Sequence, residues 1–243
     1  MIEVLYAATP NGWKISIMLE ECGLPYRVTP ISLSKGEQFS EAFLKVAPNN
    51  KIPAIIDHAP EGGGPPVPVF ETGAILLYLA EKSGRFLPDG LAERYAAIQW
   101  LFWQTSGLGP MLGQHGHFFL YAKETVPYAI DRFRGETKRL YKVLDTQLGN
   151  TGAYVAGPDL TVADFACFPW IVTHKAQKLS LDDYPQIKRW FTELRGREAL
   201  QRGMALGGGL KRGSDEDREA RDRMFGIGSG KDEEYEKRVN GAT

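Results

Sequence analysis

Strand-like and helix-like segments alternate over the first 85 or so residues of this chain, after which strand signals vanish. That asymmetry restricts the fold more than any single motif. Glu3 to Ala7, Tyr26 to Ile31, Ala54 to Asp57 and Val67 to Phe70 are short apolar stretches bounded by turn formers, the pattern of strands. Trp13 to Cys22, Phe39 to Val46 and Thr72 to Lys82 instead place apolar residues three and four apart, the pattern of helices; in the last, Ile75, Tyr78 and Leu79 share one face. The turn-rich Pro60-Glu61-Gly62-Gly63-Gly64-Pro65-Pro66 makes the third and fourth strands a hairpin. The resulting order, βαβαββα, needs one right-handed parallel crossover and one terminal hairpin. It predicts an α/β thioredoxin-like N-terminal domain.

Beyond the breaker-rich Gly84 to Asp89 only helical periods remain. Ala92 to Phe102 begins one long helix, and Ile130, Phe133, Thr137, Leu140, Tyr141, Leu144 and Leu148 mark the stripe of another. Thr161 followed three residues later by Asp164 has the form of a capping box, a folding signal, and Pro185 leads a further helix through Arg195. The Trp100, Phe102 and Trp103 cluster is expected in the core between domains. The chain thus divides into residues 1–85, an all-helical C-terminal domain over residues 91–210, and a charged, glycine-spotted flexible tail over residues 211–243.

Acidic and basic residues nearly balance, 30 against 29, which provides no field for nucleic acid or an anionic membrane. No stretch approaches the roughly 18 uninterrupted apolar residues of a membrane span, and Ile2-Glu3-Val4-Leu5-Tyr6 carries no secretory signal, so a cytoplasmic protein is expected. Cys22 and Cys167 lie in separate apolar helical patterns and read as small buried hydrophobes. His115 and His117 have no third ligand near them in sequence. They read as core or surface histidines, and no metal is expected.

The chemistry is concentrated in two segments of the first domain. Pro53 stands at the mouth of an apolar strand in Asn49-Asn50-Lys51-Ile52-Pro53-Ala54-Ile55-Ile56. Proline donates no amide hydrogen and tolerates a preceding cis bond, so Ile52 can turn its backbone toward a ligand. Glu71 and Thr72 open the next helix with a carboxylate, a hydroxyl and free helix-start amides, which suit an amino acid's ammonium and carboxylate together. A peptide-like ligand such as glutathione fits both halves. The same Glu-Thr pair also serves as an ordinary helix start. The loop Tyr6-Ala7-Ala8-Thr9-Pro10-Asn11-Gly12 sits where a thioredoxin-like protein keeps a redox sulfur, yet no Cys-x-x-Cys is present. Thr9 and Asn11 can donate to a bound thiolate and lower its pKa, or can simply build a turn and a cap.

These residues resemble the cytosolic glutathione transferase family over about residues 1 to 205. Thr9-Pro10-Asn11-Gly12, Gly36-Glu37-Gln38-Phe39, Ala47 through Ile55 and Phe70 through Leu79 are similar to the nu-class branch. So are Gln99 through Gln104 and Gly107 through Gln114. That branch contains bacterial glutathione-dependent disulfide-bond oxidoreductases and is similar to the transferase-like domain of a yeast nitrogen-catabolite regulator. The resemblance implies a glutathione transferase fold and a homodimer. It also implies that Asn11 and Thr9 face the glutathione sulfur, that Ile52 beside Pro53 pairs with the cysteinyl unit, and that Glu71 and Thr72 hold the γ-glutamyl end. It further implies that Gln38 reaches the glycyl or γ-glutamyl portion, that Arg132 meets a second glutathione or a glutathione carboxylate, and that Lys51 is a secondary candidate for the glycyl carboxylate. Thr72 stands where the branch has Ser. The activity implied is reduction of small disulfides by bound glutathione thiolate, with glutathione peroxidase activity toward organic hydroperoxides as a further expectation. Conjugation of electrophiles and non-enzymatic regulatory binding of glutathione are the alternatives.

Overall fold

The computed structural model describes residues 1–208 of the chain; the expected tail over residues 211–243 lies outside them. The first part runs β1 (Ile2–Tyr6), α1 (Pro10–Cys22), β2 (Tyr26–Pro30), α2 (Glu41–Leu44), β3 (Ala54–Asp57), β4 (Val67–Phe70) and α3 (Thr72–Ser83). The four strands form one mixed sheet in the order β2-β1-β3-β4. β1 and β2 are parallel with Val4 opposite Val28, whereas β3 is antiparallel to β1 and β4, with Ile55 opposite Val4 and Val69. The βαβαββα order expected from the sequence is present.

One predicted helix is much shorter than its pattern. Phe39 to Val46 forms only the single turn of α2, because Ser40 has an extended backbone, separates two 3-10 turns from it, and caps it by accepting from the Phe43 amide at 3.2 Å.

The helical domain follows as α4 (Leu91–Trp103), α5 (Gly109–Gly116), α6 (Pro127–Thr151), α7 (Val162–Ile171), α8 (Pro185–Arg195) and α9 (Glu198–Ala205). α4 and α5 are joined by a π turn at Gln104–Leu108, and a second π turn, His117–Tyr121, ends α5. Pro110, which has no amide hydrogen for the preceding turn, sits just after the first interruption. The capping box of α7 is formed as the sequence indicated. Asp164, fully buried, accepts from the Thr161 amide and hydroxyl and also from the Val155 amide and Trp190 Nε1.

α1 is the centre of the molecule, packed against α3, α7 and α9. Ile15, Ile17, Met18 and Leu19 on it are inaccessible to solvent, each such side chain contributing about 1.5–3 kcal/mol through burial. The approach of α9 is close enough that a Cβ on Gly203 would lie 2.6 Å from Ile17 Cα, and Ser16 Oγ donates to the Gly203 carbonyl at 2.7 Å. The expected core cluster on α4 needs correction at one position. Trp100 and Trp103 pack edge to face at 5.0 Å, but Phe102 is 61% exposed. Successive helical residues point about 100° apart, so burying Leu101 turns Phe102 outward. Cys167 is buried as expected, while Cys22 is only half-buried, its thiol 3.2 Å from Ser83 Oγ. Among the described residues no helix is long and apolar enough to cross a membrane.

Candidate active site

The turn that leaves β1 fixes the first functional side chain. Thr9 is the N-cap of α1 and accepts from the Gly12 amide at 3.1 Å, with Pro10 at the first helical position. A Cβ on Gly12 would come within 2.1 Å of the Ala7 carbonyl oxygen, so only glycine permits so tight a passage. Asn11 is thereby held on the first turn of α1, at the rim of a cavity of about 580 Å³. That volume is within the range of small-molecule sites, roughly 300–1,000 Å³.

The N-terminal domain lines this cavity with Asn11, Lys14, Asn49, Lys51, Ile52, Pro53, Phe70, Glu71 and Thr72. The Ile52–Pro53 bond is cis. Glu71 has φ 71° and ψ 122°, and Asn50 φ 50°, conformations that cost non-glycine residues about 1–3 kcal/mol and concentrate at ligand sites. Asn49 Nδ2 donates to Glu71 Oε1 at 3.3 Å and steadies that carboxylate at the rim.

The opposite wall belongs to the helical domain: Gln104, Thr105, Gly109, Pro110, Gly113, Gln114, His117 and Trp170. Trp170 Nε1 donates to Asn11 Oδ1 at 3.2 Å. With its oxygen taken, the Asn11 carboxamide has its two N–H donors left for the cavity. Beneath the cavity Lys14 is 2% exposed, and its Nζ donates to Thr72 Oγ1 at 3.2 Å and to Gln104 Oε1 at 2.7 Å. Burial pulls the Lys14 ammonium down to about 7, against the opposing pull of Cys167 and Glu71.

Six of the residues expected from the sequence, Asn11, Lys51, Ile52, Pro53, Glu71 and Thr72, therefore meet at one cavity. Thr9, Gln38 and Arg132 do not line it. The Thr9 oxygen is engaged in capping α1, which leaves its hydroxyl hydrogen to donate. Gln38 is 2% exposed with neither amide atom partnered by the protein, and Arg132 is exposed on α6. Among the wall residues that the sequence did not single out as site residues are Lys14, Gln104, His117 and Trp170. Lys14 follows Asn11 by three and so shares its helix face, a spacing that would have found it. His117, read as a core or surface residue, belongs to the cavity wall, whereas His115 is buried with Nδ1 3.1 Å from Gln177 Oε1. Among the described residues no group of His, Cys, Asp and Glu is arranged to hold a metal.

The model of the glutathione S-transferase N-terminal domain matches residues 8–82, and that of the C-terminal domain matches residues 110–198. The chain belongs to the glutathione S-transferase family. It is similar to the disulfide-bond oxidoreductase YfcG of Escherichia coli, with 51% identity over 206 residues, 85% of this chain and 94% of that protein. Among solved structures it is similar to a glutathione transferase family member from Pseudomonas fluorescens with two glutathione bound, with a TM-score of 0.78 at 42% identity over 84% of this chain and 92% of that one. It is also similar to a glutathione transferase from Pseudomonas putida with one glutathione disulfide bound per subunit, with a TM-score of 0.80 at 39% identity over 85% and 92% of the two chains. These transferases place their ligands in molecules that share this chain's sheet and helical domain.

Proposed function

We propose that this protein reduces small disulfides with the thiolate of bound glutathione as nucleophile. The carrying observation is that the Asn11 amide, clamped by Trp170, borders a cavity that no described cysteine lines. Burial raises both protein thiols, Cys22 and the fully enclosed Cys167, which makes each a poor nucleophile. The sulfur therefore comes with the ligand. Glu71 and Thr72 are assigned to the γ-glutamyl end, Ile52 to the cysteinyl backbone and Lys51 to the glycyl carboxylate. Gln38, whose buried amide lacks a protein partner, and Arg132 are assigned to the outer parts of one or two bound glutathiones.

In the first step the thiolate, held by donation from Asn11 and the Thr9 hydroxyl, attacks one sulfur of the substrate disulfide. A mixed disulfide forms and the other half leaves as a thiolate, which takes a proton from solvent. A second glutathione thiolate then attacks the glutathione sulfur of the mixed disulfide, releasing the remaining substrate thiolate and leaving glutathione disulfide. The name of the Escherichia coli relative and the disulfide bound by the Pseudomonas putida relative support this direction. A homodimer is part of the proposal, supported by Leu91, Tyr95 and Phe102 standing exposed along α4, and light scattering tests it. A cytoplasmic location follows from the need for a reduced glutathione pool, and cell fractionation tests that.

The test is turnover of 2-hydroxyethyl disulfide with glutathione. Cys22→Ala and Cys167→Ala retain activity, Asn11→Ala loses most of it, and conjugation of 1-chloro-2,4-dinitrobenzene is slow. Loss of disulfide turnover in folded cysteine variants would reject the mechanism.

A further inference from the structure

Lys14 is a cation in the wrong place for an ordinary lysine. It is enclosed on the α1 face that the helical domain covers, and among the described residues no carboxylate forms an ion pair with it. An unpaired buried charge is costly, so an isolated one loses its proton or acquires a counter-ion. Every group around it is neutral or distant. Thr72 and Gln104 offer oxygens, the Cys167 thiol of α7 is kept protonated by burial, and the Glu71 carboxylate is at the exposed rim. What adjoins Lys14 on its open side is the cavity.

Its two hydrogen bonds also orient the donors next to it. Because Nζ donates to Thr72 Oγ1, the Thr72 hydroxyl hydrogen points elsewhere, and because Nζ donates to Gln104 Oε1, the Gln104 Nε2 group is left over. That Nε2 is buried and has no protein partner. Thr72 and Gln104 both line the cavity.

We propose that Lys14 is the positioning counter-charge of the site: it takes up a proton when an anionic γ-glutamyl ligand enters, and by donating to Thr72 it leaves that hydroxyl's hydrogen for the ligand carboxylate. This inference rests on the glutathione reading above and adds a residue and a proton to it. Burial that pulls the Lys14 ammonium down to about 7 lets it give up its proton in the empty site far more readily than an exposed lysine. A carboxylate in the cavity favours the charged form and draws the proton in. The other ionisable residues of the wall are Lys51, Glu71 and His117, and the test separates Lys14 from them.

S-methylglutathione, which keeps both carboxylates and the ammonium but has no ionisable sulfur, is titrated into the full chain by calorimetry in buffers of different ionisation enthalpy. The expected result is net proton uptake on binding at pH 7.5 that diminishes as the pH is lowered. In Lys14→Met the uptake disappears and binding at pH 6 weakens about tenfold or more. Binding by the wild-type protein without proton uptake overturns the inference while leaving the glutathione reading intact. Uptake that persists in a folded Lys14→Met variant assigns it to another group and overturns the inference likewise. Failure of the wild-type protein to bind either S-methylglutathione or glutathione overturns the glutathione reading and this inference with it.

Discussion

Trp170 Nε1 donates to Asn11 Oδ1 at 3.2 Å, joining residues 159 positions apart in the chain across the interdomain cavity. A free carboxamide can present either its oxygen or its nitrogen to a thiolate, and only the nitrogen stabilises it. Trp170→Phe keeps the ring and removes the donor. The expected result is a fall of about three- to tenfold in kcat/KM for disulfide reduction, the worth of one hydrogen bond. The glutathione thiol pKa, read by thiolate absorbance in the complex, rises with it.

A second relationship anchors α3 to the sheet. Asp57, fully buried on β3, accepts from Lys82 Nζ and the Tyr78 hydroxyl, each at 2.7 Å, and from the Ala59 amide at 2.9 Å. Burial alone would raise this carboxyl, but the three donors outweigh it and hold it below the ordinary Asp value. A depressed carboxyl stabilises the fold above its unfolded pKa and loses that contribution as pH falls through the folded value. Asp57→Asn is therefore expected to cost about 2–3 kcal/mol near neutrality. Thermal denaturation should show the gap to wild type shrinking as pH drops below about 4.

Two glycines in helices should respond to alanine with opposite signs. Gly203→Ala on α9 forces a methyl to within 2.6 Å of the α1 backbone at Ile17, where no flexible side chain can yield. A loss of about 1–3 kcal/mol is expected from overpacking. Gly135→Ala on α6 meets nothing within 4 Å and should gain up to about 1 kcal/mol from helix propensity. Denaturant midpoints of the two variants measure both.

The sheet half and its side of the cavity were legible because their information is local. Period-two stretches, the glycine-proline hairpin and the Ile52-Pro53 and Glu71-Thr72 pairs each announce themselves within a few residues. The helical wall was not, because Gln104, His117 and Trp170 reach the cavity only through long-range packing. Lys14 shares a helix face with Asn11, but its burial depends on Thr72 of α3 and Gln104 of the π turn, which come from 58 and 90 residues further along the chain. The opposite error arose at Phe102, where aromatic clustering suggested core and helix rotation put the ring outside.

The seating of α9 on α1 has a consequence for synthesis. The strands and α1 leave the ribosome well before Gln104, Trp170 and Gly203 do, so an emerging chain has its Asn11 amide free to rotate and Lys14 open to water. The arrangement assigned to sulfur activation can arise only when nearly all of the described chain has been made. A half-finished chain thus carries Asn11 without the donor that holds its carboxamide in place.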